Sequence, residues 1–141
     1  SLTVTETVTA TGCINSITYN VTINPLPAPA ISGLGTVCTN YQNAAYSTAS
    51  VAGHTYSWTV TGGTITGGQG TATITVDWGS VSPGVVSVIQ TITATGCAAT
   101  ATYNVTINPL PAPVIAGPTA VCANETAVAY STASTPGSTY T

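Results

Sequence analysis

Thr102-Tyr-Asn-Val-Thr-Ile-Asn-Pro-Leu-Pro-Ala-Pro113 is the stretch that decides the fold. Its first half alternates: Tyr103, Val105 and Ile107 take one side, Thr102, Asn104 and Thr106 the other. Successive side chains of a strand point to opposite faces, so this period describes a strand with one buried and one wet face, the habit of antiparallel sheets. Its second half stops the strand with a proline at every second position. Proline removes a backbone donor and fixes φ, which leaves an extended, stiff segment. The same run stands letter for letter at Thr18–Pro29, 84 positions earlier (102 − 18 = 84), and Cys13 and Cys38 return as Cys97 and Cys122 at the same offset. Self-similarity at a fixed period marks an array of one structural unit.

The proline runs divide the chain. Residues 1–29 read as the C-terminal part of a preceding repeat with its linker, 30–113 as one complete repeat with its linker, and 114–141 as the N-terminal part of a following repeat. The stretch reads as a piece of a longer protein. Alternation recurs in Thr55–Thr61, with Tyr56, Trp58 and Val60 on one face, and in Thr71–Trp78, with Ala72, Ile74, Val76 and Trp78 on one face. Gly62-Gly63, Gly67-Gly68, Gly79-Ser80, Pro83-Gly84 and Thr95-Gly96 supply turns between such runs. Strands are expected near 30–34, 44–49, 55–61, 64–66, 71–78, 85–94 and 100–107. Seven short strands separated by regular turns describe an immunoglobulin-like sandwich. The predicted fold is therefore all-β, tandem seven-strand sandwiches with a period of 84 residues and no helix. Gln90 shares the face of Val86, Val88 and Ile92, which predicts a bulge there or a place near the sandwich edge.

Charge is almost missing. There is no Lys or Arg, and Glu6, Asp77 and Glu125 are the only acids, 2% of residues against about a quarter in average chains. Nothing can neutralise phosphates, so neither nucleic acid nor an anionic membrane surface is an expected partner. No uninterrupted apolar run approaches the length of a spanning helix, so no membrane insertion is expected. The complete repeat holds a single carboxylate, Asp77; Glu6 and Glu125 correspond to Gln90 and Tyr41. Paired-carboxylate hydrolysis, a calcium cage and a cysteine–histidine metal site all need more than that. No catalytic residue, metal or cofactor is expected, and the chain does not read as an enzyme. Gly62–Gly70 lacks the lysine and following helix of a phosphate loop and reads as a hairpin turn. His54 reads as an exposed loop residue and Trp58 as core. Trp78 ends an apolar face beside Gly79; it reads as core, or, with Tyr41, as a stacking platform for a sugar.

The complete repeat contains Cys38 and Cys97. A bridge between them would close a loop of about 60 residues and stabilise by roughly 4 kcal/mol. The competing pairing, Cys13–Cys38, spans the whole last strand and the proline linker, with nothing on the path that folds back. A Cys38–Cys97 disulfide is the expectation, and it implies an oxidising compartment.

The order Pro27-Ala-Pro-Ala-Ile-Ser-Gly33, Thr36-Val-Cys38, Thr55-Tyr-Ser-Trp-Thr-Val-Thr-Gly-Gly63, Gly68-Gln-Gly-Thr71, Ile74-Thr-Val-Asp-Trp-Gly79 and Thr95-Gly-Cys97 resembles the PKD-like, immunoglobulin-like repeat of very large surface adhesins from Bacteroidetes-type bacteria. Proteins of that kind are associated with gliding motility or type IX secretion. The resemblance implies an extracellular or cell-surface location and a role as stalk or adhesive repeat. The expected partners are neighbouring repeats of the same chain, other copies laterally or end to end, and surface glycans bound weakly through avidity. With so few titratable groups, the thermal unfolding midpoint is expected to stay level between about pH 5 and 9. A steep change across that window in a calorimetric pH series would contradict this reading.

Overall fold

A computed structural model describes all 141 residues as strands, turns and extended segments, with no helix. The strands of the central unit are β3 (Ser32–Gly33), β4 (Thr36–Cys38), β5 (Ala44–Ser47), β6 (His54–Thr61), β7 (Gly63–Gly67), β8 (Thr73–Trp78), β9 (Gly84–Ile92) and β10 (Ala98–Asn108). Before them lies the hairpin β1 (Leu2–Thr7) and β2 (Ile14–Tyr19), and after them the short pair β11 (Ile115–Ala116) and β12 (Ser131–Thr132).

Two four-stranded sheets make the unit, in the orders β3-β5-β8-β7 and β4-β10-β9-β6. All pairings are antiparallel except β4 with β10. The alternation expected of Thr55–Thr61, Thr71–Trp78 and Ala101–Ile107 is the alternation observed, since Tyr56, Trp58, Ile74, Val76, Trp78, Val105 and Ile107 are all buried. Tyr46, Ile74, Val76 and Trp78 from one sheet meet Tyr56, Trp58, Val86, Val88, Val105 and Ile107 from the other in a single core. Their burial is the main stabilising term, about 1.5–3 kcal/mol for each large side chain. The fold is an all-β sandwich.

Three sequence expectations change in detail. The first of the seven expected strands is two, because the chain leaves one sheet at Gly33 and joins the other at Thr36. Gly33 permits this: a Cβ there would collide with the ring of Tyr46, which lies across it. Gln90 produces no bulge. β9 runs unbroken, Gln90 is 3% exposed, and its amide meets His54 Nδ1 at 2.7 Å. His54 is accordingly the half-buried first residue of β6 and not a free loop residue. The irregularity sits instead in β7, between Ile65 and Gly67.

Tyr46 organises one end of the core. Its ring meets Trp78 edge-on, with centroids 5.9 Å apart, and lies 6.2 Å from that of Tyr103. Its hydroxyl donates to the Leu34 carbonyl (2.9 Å) and accepts from Trp78 Nε1 (3.2 Å). Tyr103 donates to the Gly33 carbonyl at 3.1 Å, so two phenols hold the segment between β3 and β4.

Several contacts of the flanking stretches match contacts of the central unit 84 positions away. β1 pairs β2 with Leu2 opposite Tyr19, as Val86 stands opposite Tyr103 in β9 and β10. Val8 N donates to Cys13 O as Ile92 N donates to Cys97 O. Tyr140 bonds the Ala133 carbonyl and the Thr135 amide as Tyr56 bonds Ala49 and Val51. The core is what they lack: Leu2, Val4, Ile17 and Tyr19 are exposed.

Burial pushes the Tyr46 phenol above its ordinary value, partly opposed by the hydrogen bond from Trp78. A raised folded-state pKa leaves stability intact below the unfolded value, about pH 10, and withdraws it above. Resistance to unfolding by urea is therefore expected to fall above about pH 10. Tyr46→Phe should cost about 1–3 kcal/mol at neutral pH by orphaning the Leu34 carbonyl and the Trp78 indole, and should flatten the alkaline decline.

Candidate functional site

Trp78 closes β8 at the end of the unit where Asn108 ends β10 and the second linker begins. The backbone turns of Gly62, Gly63 and Gly79 lie beside it, leaving an open depression of about 490 Å³ lined by those glycines, Thr64, Asp77 and Trp78. The indole is not presented to it as a platform. Trp78 is 3% exposed, engaged with Tyr46, and packed over Gly84, where a Cβ would collide with the ring. Tyr41 is 43% exposed and does not line the depression; its carbonyl accepts from Trp78 N at 2.8 Å. The structure thus puts the two proposed stacking residues close in backbone but gives only Tyr41 an accessible ring. Asp77 Oδ1 accepts from the Asn43 amide at 2.8 Å, which fixes the turn before β5. It is a structural carboxylate in a glycine-lined hollow.

Cys38 and Cys97 are both free thiols, as are Cys13 and Cys122. The expected Cys38–Cys97 bridge is not formed, and strand register gives the reason. Cys38 stands opposite Asn108, the last residue of β10, whereas Cys97 immediately precedes Ala98, the first. Eleven strand residues at 3.3 Å each separate those ends, about 36 Å. A disulfide needs Cα atoms within about 7 Å. The two cysteines occupy opposite poles of the unit.

Two other residues carry more than their sequence setting suggested. Gln69 lies in the turn between β7 and β8, and its side chain reaches the outer edge of β6. Its Oε1 accepts from Trp58 N (3.1 Å) and its Nε2 donates to Trp58 O (2.8 Å). One side-chain amide thereby occupies the outward donor and acceptor at the middle of the edge strand, as a neighbouring strand would. The Trp58 indole donates to Thr71 O at 2.8 Å, from the same connection. Unpaired edges are templates for another chain, and this one is closed at its centre. The only sequence signal is a lone amide among the glycines of Gly67-Gly68-Gln-Gly70, too slight to name its partner.

Pro27 is the second. It belongs to the linker and to no strand, yet it is buried. Every residue of β1 and β2 is exposed, so the preceding hairpin does not cover it. Its burial is continuous with the half-buried Pro29 and Ile31, and Ile31 packs against the core of the unit that follows.

These two sheets, their order and the crossing of the first strand define an immunoglobulin-like β-sandwich. Residues 24–107, 84 of the chain's 141, match the family described as PKD-like domain, and the chain belongs to that family. The match begins at Asn24, so it takes in the linker ahead of the sandwich. No curated protein matches the chain.

Gln69→Ala should leave the Trp58 amide and carbonyl open at the β6 edge. Hydrogen exchange at the Trp58 amide is expected to accelerate, stability to fall by about 1 kcal/mol, and sedimentation to show concentration-dependent association absent from the parent. Unchanged exchange at that amide would contradict the edge-closing role.

Proposed function

We propose that this chain is a stretch of a long extracellular repeat protein whose sandwich units follow one another at an 84-residue period as a stiff stalk, without catalysis of their own. The observation that supports it most is the burial of Pro27. A linker seated on the unit it enters is no free hinge, and its remaining residues, extended by their prolines, bend little. The closed β6 edge and the nearly uncharged surface agree with a module that carries load and does not pair laterally. A stalk of this kind suits the cell-surface adhesins of Bacteroidetes-type bacteria, including those exported by the type IX route, with adhesion displayed elsewhere in the protein.

A second reading rests on Tyr41. Its ring is the accessible one of the two stacking candidates, and repetition would multiply a weak glycan contact through avidity. Self-assembly into a fibre is the third use of such units, and the Gln69 clamp weighs against its running through β6.

The stalk reading fixes a length. From the level of Cys97 to that of Asn108 is about 36 Å of strand, and three further linker residues add about 9 Å, so each unit should contribute about 45 Å. Small-angle scattering of chains carrying one, two and three copies of Ala30–Pro113 between the same flanks should show the maximum dimension growing linearly by that step. Growth as the square root of copy number would instead mean flexible joints and overturn the stalk.

A further inference from the structure

We infer that Cys38 of each unit forms a disulfide with the cysteine that takes the place of Cys97 in the following unit, so that the staple spans the joint and not the sandwich. The inference rests on the tandem reading proposed above.

The cysteines are placed by one register. β4 runs parallel to β10 at a constant offset of 70: Thr36 with Thr106, Val37 with Ile107, Cys38 with Asn108. The Tyr103 hydroxyl on the Gly33 carbonyl keeps that offset across the change of sheet, and continued over the six residues before Gly33 it sets the buried Pro27 level with Cys97 (97 − 27 = 70). At the other pole Cys38 stands beside Asn108, and Thr39 fastens there, its N and Oγ1 donating to the Asn108 carbonyl at 2.8 and 3.0 Å. Asn108 is the residue from which the next linker departs. The following unit's counterpart of Pro27 is Pro111, so its counterpart of Cys97 lies level with Pro111 (27 + 84 = 111). Every joint therefore receives one thiol from each side, at levels three linker residues apart, at most about 9 Å along the axis. A lean of one unit on the next brings the Cα atoms into the span of about 4.4–6.8 Å that a disulfide accepts.

No other pairing within one chain has this reach. Cys38 and Cys97 of one unit are about 36 Å apart, and Cys13 and Cys38 are farther still, at the outer poles of successive units. The proposed partners are 143 positions apart in sequence (84 + 97 − 38), one in each of two successive units. Cys38 is exposed and Cys97 half-buried, so both are open to exchange.

The chemistry is thiol–disulfide exchange with a disulfide donor such as oxidised glutathione. The Cys38 thiolate attacks one donor sulfur, forming a mixed disulfide and expelling the other as thiolate, which takes up a proton. The thiolate of the following unit's cysteine then attacks the Cys38 sulfur and expels the remaining donor sulfur. One protein S–S bond forms, one donor S–S bond breaks, and two electrons and two protons pass to the donor.

The test uses the whole chain with Ala30–Pro113 present twice in succession, oxidised in a glutathione redox buffer and read by free-thiol labelling and mass spectrometry after chymotryptic digestion. With every other cysteine changed to Ser, the chain keeping Cys38 of the first copy and Cys97 of the second should lose both thiols and yield one cross-linked peptide. The chain keeping Cys38 and Cys97 of one copy should retain two thiols. Retention of both thiols by the first variant, a link within one copy, or exclusively intermolecular dimers would each overturn the inference. Small-angle scattering of the reduced chain separates the two failures. A rod with about 45 Å per unit whose thiols do not join leaves the stalk standing without its staple, whereas a collapsed chain removes the stalk itself. Unfolding midpoints of the reduced variants, compared with the parent, show that the serine changes leave the sandwich intact.

Discussion

The three-residue parallel ladder between β4 and β10 is the contact on which the rest of the arrangement turns. It joins the first and last strands of the unit so that both run toward the same pole, which places chain entry and chain exit at opposite ends. A sandwich whose first strand stayed wholly in the β5 sheet would leave β10 at an open edge. The crossing at Gly33–Thr36 covers part of that edge and fastens the entry segment along the exit strand. Val37 and Ile107, paired in this ladder, are both buried, so the same residues that set the polarity also belong to the core. Everything attributed to the joint follows from this: the seat of Pro27 at one pole, Asn108 and Cys38 at the other.

A protein with no cations meets its surface and edge problems with amides, hydroxyls and glycine. Lysine on an edge strand is a usual defence against strand addition, and none is present. The Gln69 amide takes the role at Trp58 by satisfying the edge itself. Inside, Gln90 and His54 are each other's partners, so a polar pair at a core register costs little as long as both remain. An amide can offer either its oxygen or its nitrogen, so the pair keeps a hydrogen bond whichever form the imidazole takes. Glutamine thus serves twice where a charged residue would carry a desolvation penalty.

Period-two alternation made most of the sandwich legible, because it reports burial directly: Tyr56, Trp58, Ile74, Val76, Val105 and Ile107 were assigned to the core from spacing alone and are there. What the sequence hid depends on level along the strands. Cys38 and Cys97 flank a loop of favourable length, yet loop length says nothing about which pole each residue occupies. That is fixed by the sheet switch at Gly33, where the cue is a glycine under a tyrosine ring. Gln90 was misread for a related reason: its partner His54 lies 36 positions away on the neighbouring strand, so alternation shows the anomaly without showing its answer. Pro27 could be recognised as linker from composition, but its burial belongs to tertiary contact.

The flanking stretches show the same local contacts as the central unit without its core. β1 and β2 hold the register of β9 and β10 with every side chain exposed, and the tyrosine-centred turn at Tyr140 keeps both of its hydrogen bonds. The meeting of the two sheets supplies the hydrophobic term that these flanking strands lack. Pro27 and Pro111 make the same comparison at the linker. With all the strands of the central unit behind it, Pro27 is buried; before the short pair β11 and β12, Pro111 is exposed. Burial of the linker at Pro27 thus accompanies the two-sheet core that follows it.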